Sequence, residues 1–485
     1  MRRSFRPPAV SPRLLTALFT LLTTVFAGPA SGRTPDRPHA GPWRATAGTM
    51  EAARADPTWS LVPGPAGNRS SWRLRATPVS ASMRESSTVI ARATQEPAVA
   101  LPGSGMQVWL VTVGQGSWIW EKFGHNAIWI RDEAAGIDVA WNWGIFAFGE
   151  GFIPSLIKGS MIYRMEGWSG ITMINGYIRD NRTVWVQELN LTPAQKIELF
   201  ALTQENAREE NKYYRYDYYR DNCSTRVRDM LDRVLGGALR RELEGRATGT
   251  THRWHTERLT ADMPAEYTGL LLALGPSTDR PIDAWEEAFL PVQLMEHVRG
   301  IRVEHDGVPA PLVMGETEVF TATRPPERDA APERTHWYAL AGVLIGTALF
   351  ALGRTRGRPA GAGFYTLAIL WSLVVGVAGV LIAGLWAFSE HTITFHNENV
   401  LQSNIVSLLL IVLLGLAAAG RAERAAVVVA GLVVTLSIIG FVSQVLPGID
   451  QPNGAMIALM LPAHAGLALG LRARTYRFDS PRAVT

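Results

Sequence analysis

Arg220-Asp221-Asn222-Cys223-Ser224-Thr225 decides how this chain is read, because it holds the only cysteine in 485 residues and opens the best-patterned helix. Val227, Met230, Leu231, Val234 and Leu235 recur at helical spacing on one apolar face, and Gly236-Gly237 supplies the stop. Asp221 or Asn222 is placed to cap that helix, which puts Cys223 in its first turn. There the unpaired N–H groups and the positive end of the helix dipole favour a thiolate and can stabilise an oxyanion formed by attack on an ester. A lone cysteine cannot form an internal disulfide, so it is either a nucleophile or a small buried hydrophobe.

Upstream, Phe123-Gly124-His125-Asn126-Ala127-Ile128-Trp129-Ile130 reads as a strand with His125 at its start. A cysteine and a histidine far apart in sequence, each opening a regular element, fit a thiol and its general base. Asn142, between Trp141 and Trp143, is a candidate to orient the imidazole, and Glu121 is another. The run from Tyr213 to Tyr219 is rich in tyrosine and suits the wall of an acyl or head-group pocket, or ordinary packing. His252 and His255 stand one helical turn apart, but no third ligand joins them, so no metal is expected.

Strands are expected at Met106 to Val113, His125 to Arg131, Ile137 to Phe146, Ser160 to Met165 and Val184 to Leu191. Thr192-Pro193 then starts a helix, with Thr as cap and Pro in the first turn. Strands followed by helices predict an α+β domain over residues 105–300.

On either side the composition changes. Residues 1–32 have a basic start, an apolar run from Leu14 to Ala27 and small residues after it, as in a signal peptide or N-terminal anchor, with Ala27 a cleavage candidate. Arg2-Arg3 gives a faint twin-arginine resemblance. Residues 33–101, rich in Pro, Ala and Arg, carry no sustained period and are expected to be disordered, with Met50 and Met83 as alternative starts. After a connector at residues 301–335, five apolar spans are expected within 336–472, about His336 to Leu352, Phe364 to Phe388, Asn404 to Ala419, Ala425 to Leu446 and Ala455 to Leu471. Residues 473–485 form a tail.

Arg354, Arg356 and Arg358, then Arg421 and Arg424, then Arg472, Arg474 and Arg477 lie on one side of these spans, while the loops Ser389 to Ser403 and Pro447 to Gly454 lack Lys and Arg. The positive-inside bias makes the basic side cytoplasmic and the α+β domain periplasmic, as a multi-pass protein of a bacterial inner membrane. The 47 Lys and Arg against 43 Asp and Glu form no basic stripe with interleaved aromatics, so nucleic acid is not an expected partner. The outer loop carrying Glu390, His391, His396, Asn397, Glu398 and Asn399, with Gln444, Asp450, Gln451 and Asn453 level with it, suggests a polar site at head-group depth. His464 falls inside the fifth span.

Taken together, Gly124-His125-Asn126-Ala127, Asn142-Trp143-Gly144-Ile145-Phe146, Leu189-Asn190-Leu191-Thr192, Tyr214-Arg215-Tyr216-Asp217 and Asp221-Asn222-Cys223-Ser224-Thr225-Arg226 resemble the exported domain of the Lnb-type bacterial lipoprotein N-acyltransferases. Glu390-His391 with Asn397 and Asn399 resembles that family's membrane half. The resemblance implies a permuted papain-like (NlpC/P60-like) antiparallel sheet with helices, followed by an all-α five-helix transmembrane bundle. It implies Cys223 as nucleophile and His125 as base, with Asn142 and His391 both at positions that fit the third member. Tyr214, Tyr216, Asp221, Asn222, His396, Asn397 and Asn399 are implied at the substrate. No cofactor is implied. The expected partners are a membrane phospholipid as acyl donor and a diacylated lipoprotein as acceptor. A membrane-tethered cysteine peptidase or amidase acting on cell-wall peptides, and a non-catalytic assembly protein, are the alternatives.

Overall fold

The computed structural model describes residues 102–476 apart from 148, 150, 306 and 450, together with the backbone of two short strands, Trp59–Pro63 and Trp72–Ala76, which pair antiparallel. Those two strands fall in the stretch expected to lack regular structure. The signal-like segment and the C-terminal tail lie outside the described residues, except that the last helix runs on to Tyr476.

Seven strands build the sheet: β1 (Gln107–Val113), β2 (His125–Asp132), β3 (Ile137–Ile145), β4 (Ile162–Trp168), β5 (Val184–Leu189), β6 (Tyr213–Arg215) and β7 (Val313–Phe320). Their spatial order is β7-β5-β1-β2-β3-β4-β6, every pair antiparallel. The α+β expectation therefore stands. The stretch 301–335, expected as a connector, contributes both the hairpin Arg302–His305 with Val308–Pro311 and the edge strand β7.

Each face of the sheet buries its own core, as the two-residue side-chain period requires. On one face Val108, Leu110, Ile128, Ile130 and Trp143 meet Val227 and Leu231 of the Cys223 helix. On the other, Val111, Val113, Ala127 and Trp129 meet Met173, Ile174 and Tyr177. The helices involved are α1 (Phe152–Lys158), α2 (Gly170–Arg179), α3 (Pro193–Asn206) and α4 (Cys223–Val234). The expected start of α3 is observed: Thr192 accepts from Gln195 N while the Gln195 side chain accepts from Thr192 N, satisfying two donors at once.

Further along, α5 (Pro264–Ala273) leads toward the membrane half, made of α6 (Thr335–Arg354), α7 (Arg358–Phe388), α8 (Val406–Ala418), α9 (Glu423–Val442) and α10 (Gly454–Tyr476). Among the described residues these helices, with a short 3-10 turn before α8 and another after α9, make five candidate membrane spans by length and composition. Glycines let α6 and α10 approach closely: a Cβ on Gly346 would lie 2.3 Å from Pro462 O, and one on Gly466 would lie 2.0 Å from Gly346 O.

Candidate active site

Strand register brings the first two groups together. Ala127 pairs with Asn142 across β2 and β3, so His125, two residues earlier on the same face, stands diagonal to Asn142. His125 Nε2 and Asn142 Oδ1 are 2.9 Å apart. The amide's orientation is set by its other end, since Asn142 Nδ2 donates to Ala140 O at 2.9 Å. With Oδ1 as the acceptor, Nε2 carries the imidazole proton and Nδ1 keeps the lone pair a base needs.

Cys223 arrives from the opposite face. Asn222 is the cap: its Oδ1 accepts from Ser224 N (2.8 Å) and Thr225 N (2.9 Å), while its Nδ2 donates to Tyr218 O and Phe289 O. The buried sulfur of Cys223 receives the backbone N–H of Asn126, the residue after His125. Ser224 Oγ bridges the same elements, donating to Asn126 Oδ1 at 2.8 Å or to Ala288 O at 2.7 Å. Cys223 thus lies beside Asn126, the neighbour of His125, at the end of the sheet, where the pairing of β3 with β4 shifts register between Asn142 and Ile145. Gly144 lies within that irregularity at φ +85, a left-handed conformation that favours glycine. A Cβ there would stand 3.5 Å from Cys223 Cβ and 3.7 Å from Tyr216 Cε2, so the absent side chain leaves a small space beside the thiol.

Electrostatics differ from the sequence reading. Burial pushes the Cys223 thiol up, and this outweighs the opposing effects of the Asn126 N–H, Arg182 and the helix-start N–H groups. Burial also lowers His125 from 6.5 to about 4, partly offset by Asn142 and reinforced by Arg182. The resting pair is therefore neutral thiol and neutral imidazole, not the thiolate expected from the helix position alone. Asn222 accepts from the Ser224 and Thr225 N–H groups, and the N–H groups of Asn126, Ser224 and Cys223 stand near the sulfur, with Ser224 N–H shared with the Asn222 cap.

Arg182 is a residue the sequence reading missed. It is buried, donates from Nε to Gly114 O at 3.0 Å, lies over the Tyr177 ring at 5.1 Å and has Nη1 3.9 Å from Glu121 Oε1. Its Nη2 has no hydrogen-bond partner among the described residues. Tyr177 in turn faces His125, with ring centroids 5.9 Å apart. Glu121 does not orient the imidazole; its Oε2 accepts from Ser117 N and Trp118 N and closes their turn.

The remaining expected residues are placed as follows. Tyr216 stacks on Tyr163 at 4.2 Å beside Gly144, and Tyr214 is buried under the Arg226 guanidinium. Asp221 is held by Arg226, with Nη2 to Oδ2 at 2.6 Å, and is engaged in shaping the turn before α4. His391 is not bonded to His125: its Nε2 donates to Leu156 O at 2.6 Å and its ring stacks on Tyr218. Of the two candidates for a third member, the geometry pairs Asn142 with the imidazole.

The outer loop, expected to form a polar site at head-group depth, commits part of its polar set to the junction with the sheet domain. Asn397 and Asn399 are buried, and their Nδ2 groups donate to Leu271, Leu272 and Ala273 carbonyls at the end of α5. Gln451 adds a bond to Leu274 O at 2.9 Å. These side chains fasten the sheet domain to the bundle by satisfying a helix C-terminus. His396, at φ +56 and exposed, lies against Trp386 with ring centroids 5.3 Å apart. His255 bonds Glu287 at 3.0 Å within a buried polar cluster that also includes His297.

An α+β domain with a thiol, an imidazole and an amide at one sheet end, fastened to five apolar helices, defines a multi-pass membrane protein with a site on one side of the bundle. Two family models match the chain: the Lnb N-terminal periplasmic domain over residues 99–258 and the Lnb transmembrane domain over residues 331–468. The chain belongs to the Lnb family, and its sheet domain is of the periplasmic kind. No curated protein and no solved structure matches it.

Proposed function

We propose that this protein is a lipoprotein N-acyltransferase of the bacterial inner membrane, using Cys223 to carry an acyl chain from a phospholipid to the α-amino group of a diacylglyceryl-cysteine lipoprotein. The observation that carries the reading is the Cys223, His125 and Asn142 constellation, held on a domain whose α5 is bonded directly to the outer loops of the bundle. Family membership supports a membrane enzyme of this type.

Starting from a neutral pair, Nδ1 of His125 takes the thiol proton as Sγ attacks the ester carbonyl. The Cys223 and Asn126 N–H groups face the sulfur and are available to the oxygen that becomes negative. Collapse of the tetrahedral species breaks the ester C–O bond, and the imidazolium returns its proton to the leaving lysophospholipid. The lipoprotein amine then attacks the thioester, His125 accepts a proton from the nitrogen, and the proton returns to sulfur as the amide forms. Asn142 holds the ring through both halves and stabilises its charged form by accepting from Nε2–H.

The test is mass spectrometry of lipoprotein N-termini from a strain in which this protein is the sole N-acyltransferase, comparing wild type with Cys223→Ser at matched membrane abundance. The expected result is an added acyl chain with wild type and its loss with the variant, alongside a hydroxylamine-labile acyl group on wild-type Cys223. Unmodified amines with wild type, or full acylation with Cys223→Ser, would sink the reading.

A further inference from the structure

Helix α1 carries Ile153 and Ile157 four residues apart, so both project from one side, and they are 59% and 63% exposed. Ile162, just beyond the helix, is 60% exposed. The neighbouring contacts fix the depth of this apolar face. Lys158 O accepts from Glu390 N at 2.6 Å, Leu156 O accepts from His391 Nε2 at 2.6 Å, and Arg215 pairs with Glu390 at 2.7 Å. Gly159 makes the approach possible, since a Cβ on it would stand 2.9 Å from His391 N. Glu390 and His391 follow directly on α7, whose last residue, Phe388, is 86% exposed. Helix α1 is thereby held at the level where a membrane span leaves the hydrocarbon, and its isoleucines continue the apolar surface of that span.

From α1 a row of aromatic rings leads inward. Phe152 stacks on Phe146 at 5.7 Å, Phe146 on Tyr163 at 5.0 Å, and Tyr163 on Tyr216 at 4.2 Å. Tyr216 borders the space at Gly144 beside Cys223. The exposed Lys158 and the half-exposed Arg215 stand beside α1, both paired with Glu390, at 3.8 Å and 2.7 Å, so that the group at this level carries two positive charges against one negative.

We propose that α1 and Ile162 are immersed in the outer leaflet at the boundary between head groups and acyl chains, and that a donor phospholipid chain leaves the bilayer there, following the aromatic row to Cys223. The immersion stands on geometry alone, whereas the entry role rests on the acyl-transfer reading. An interfacial apolar face flanked by basic residues is the chemistry expected of a segment lying in, and not across, a bilayer.

The immersion is tested on the full chain in a Cys223→Ser background, with nitroxide labels at Ile153→Cys, Ile157→Cys, Leu381→Cys in α7, and Ala134→Cys in the turn at the far end of β2 from His125. The protein is reconstituted in phosphatidylethanolamine and phosphatidylglycerol vesicles, and collision with oxygen is compared with collision with a water-soluble nickel complex. Labels at 153 and 157 are expected to resemble 381 in favouring oxygen; values matching 134 would overturn the immersion. For entry, Ile153→Lys/Ile157→Lys is made with Cys223 intact, and thioester formation is measured from vesicle phospholipid and from a water-soluble short-chain ester. The expected result is a fall of about tenfold in the ratio of the bilayer rate to the soluble rate. An unchanged ratio would overturn the entry role. If wild type forms no thioester from phospholipid, both the acyl-transfer reading and the entry role fail, while the label depths still decide the immersion.

Discussion

At the scale of single residues, the site is governed by which proton sits where. Asn142 fixes the imidazole by accepting at Nε2, so its loss should free the ring to turn its basic nitrogen away from sulfur. Asn142→Ala is expected to lower the acyl-transfer rate by roughly 10- to 100-fold with normal folding, as measured by single-turnover thioester formation. The pH profile gives a second readout. A base must be neutral to accept a proton, and burial holds His125 near 4, so the acid limb of activity should fall as pH drops through about 4. Asn142→Asp sets a carboxylate against the ring, favours the charged imidazole and should move that limb to higher pH; an unmoved limb would separate Asn142 from the base. The same shift bears on stability. Because the folded value lies below 6.5, the unfolded chain takes up the proton first, so this contribution is complete above 6.5 and is lost progressively as pH falls to about 4. His125 and Cys223 stand out in the sequence as candidates because each opens a patterned element, and the structure places each at the start of its strand or helix. Arg182 does not stand out, since its burial depends on Gly114 and Tyr177, which only the folded sheet brings to it.

At the scale of elements, α4 illustrates how a cap serves the site. Asn222 satisfies two helix-start donors with one oxygen and two distant carbonyls with its nitrogen, so it sets both the start of the helix and the direction in which Cys223 projects. Asn222→Ala is expected to cost about 1 to 2 kcal/mol in helix stability and to leave Tyr218 O and Phe289 O each without that donor. The measurement is thermal unfolding in detergent together with the rate of Cys223 alkylation; unchanged values for both would remove Asn222 from this role. Sequence pattern found the helix because its apolar face is long and continuous. It missed β7 for the converse reason: Val313-Met314-Gly315-Glu316-Thr317-Glu318-Val319-Phe320 is an edge strand with acidic side chains, Glu316 held by Arg299 and Glu318 by Trp185. A strand that pairs on one edge and keeps polar partners near the surface lacks the apolar run that marked β1 and β2. The bend of β3 at Gly144, which makes space at the thiol, likewise comes from tertiary pairing and not from local propensity.

At the scale of the whole molecule, the proposed function depends on holding a chemical site at a fixed height above a bilayer. The five spans and the polar outer loop were readable from hydropathy and charge, but the purpose of that loop was not, because the carbonyls it serves lie about 125 residues earlier. Leu271, Leu272 and Ala273 end α5 with carbonyls that α5 itself cannot satisfy, and Asn397 and Asn399 meet them from the bundle, while Gln451 meets Leu274 O just beyond. The approach is close at the next turn too: Gly275 N donates to Ile393 O at 2.7 Å, and a Cβ on Gly275 would lie 2.2 Å from Phe395 O. Replacing both asparagines by leucine leaves these carbonyls buried without their side-chain donors, a cost of about 1 to 3 kcal/mol for each. The double variant should loosen the end of α5 from the bundle while the sheet core, which buries its own two faces, stays folded. Hydrogen exchange in detergent should then rise at α5 and the outer loop and remain low in β1 and β2. Acyl transfer from vesicle phospholipid should fall more steeply than reaction with a soluble ester, because only the former needs the sulfur kept at its height above the membrane. Equal exchange in the variant and wild type would mean that these amides do not hold the two halves together.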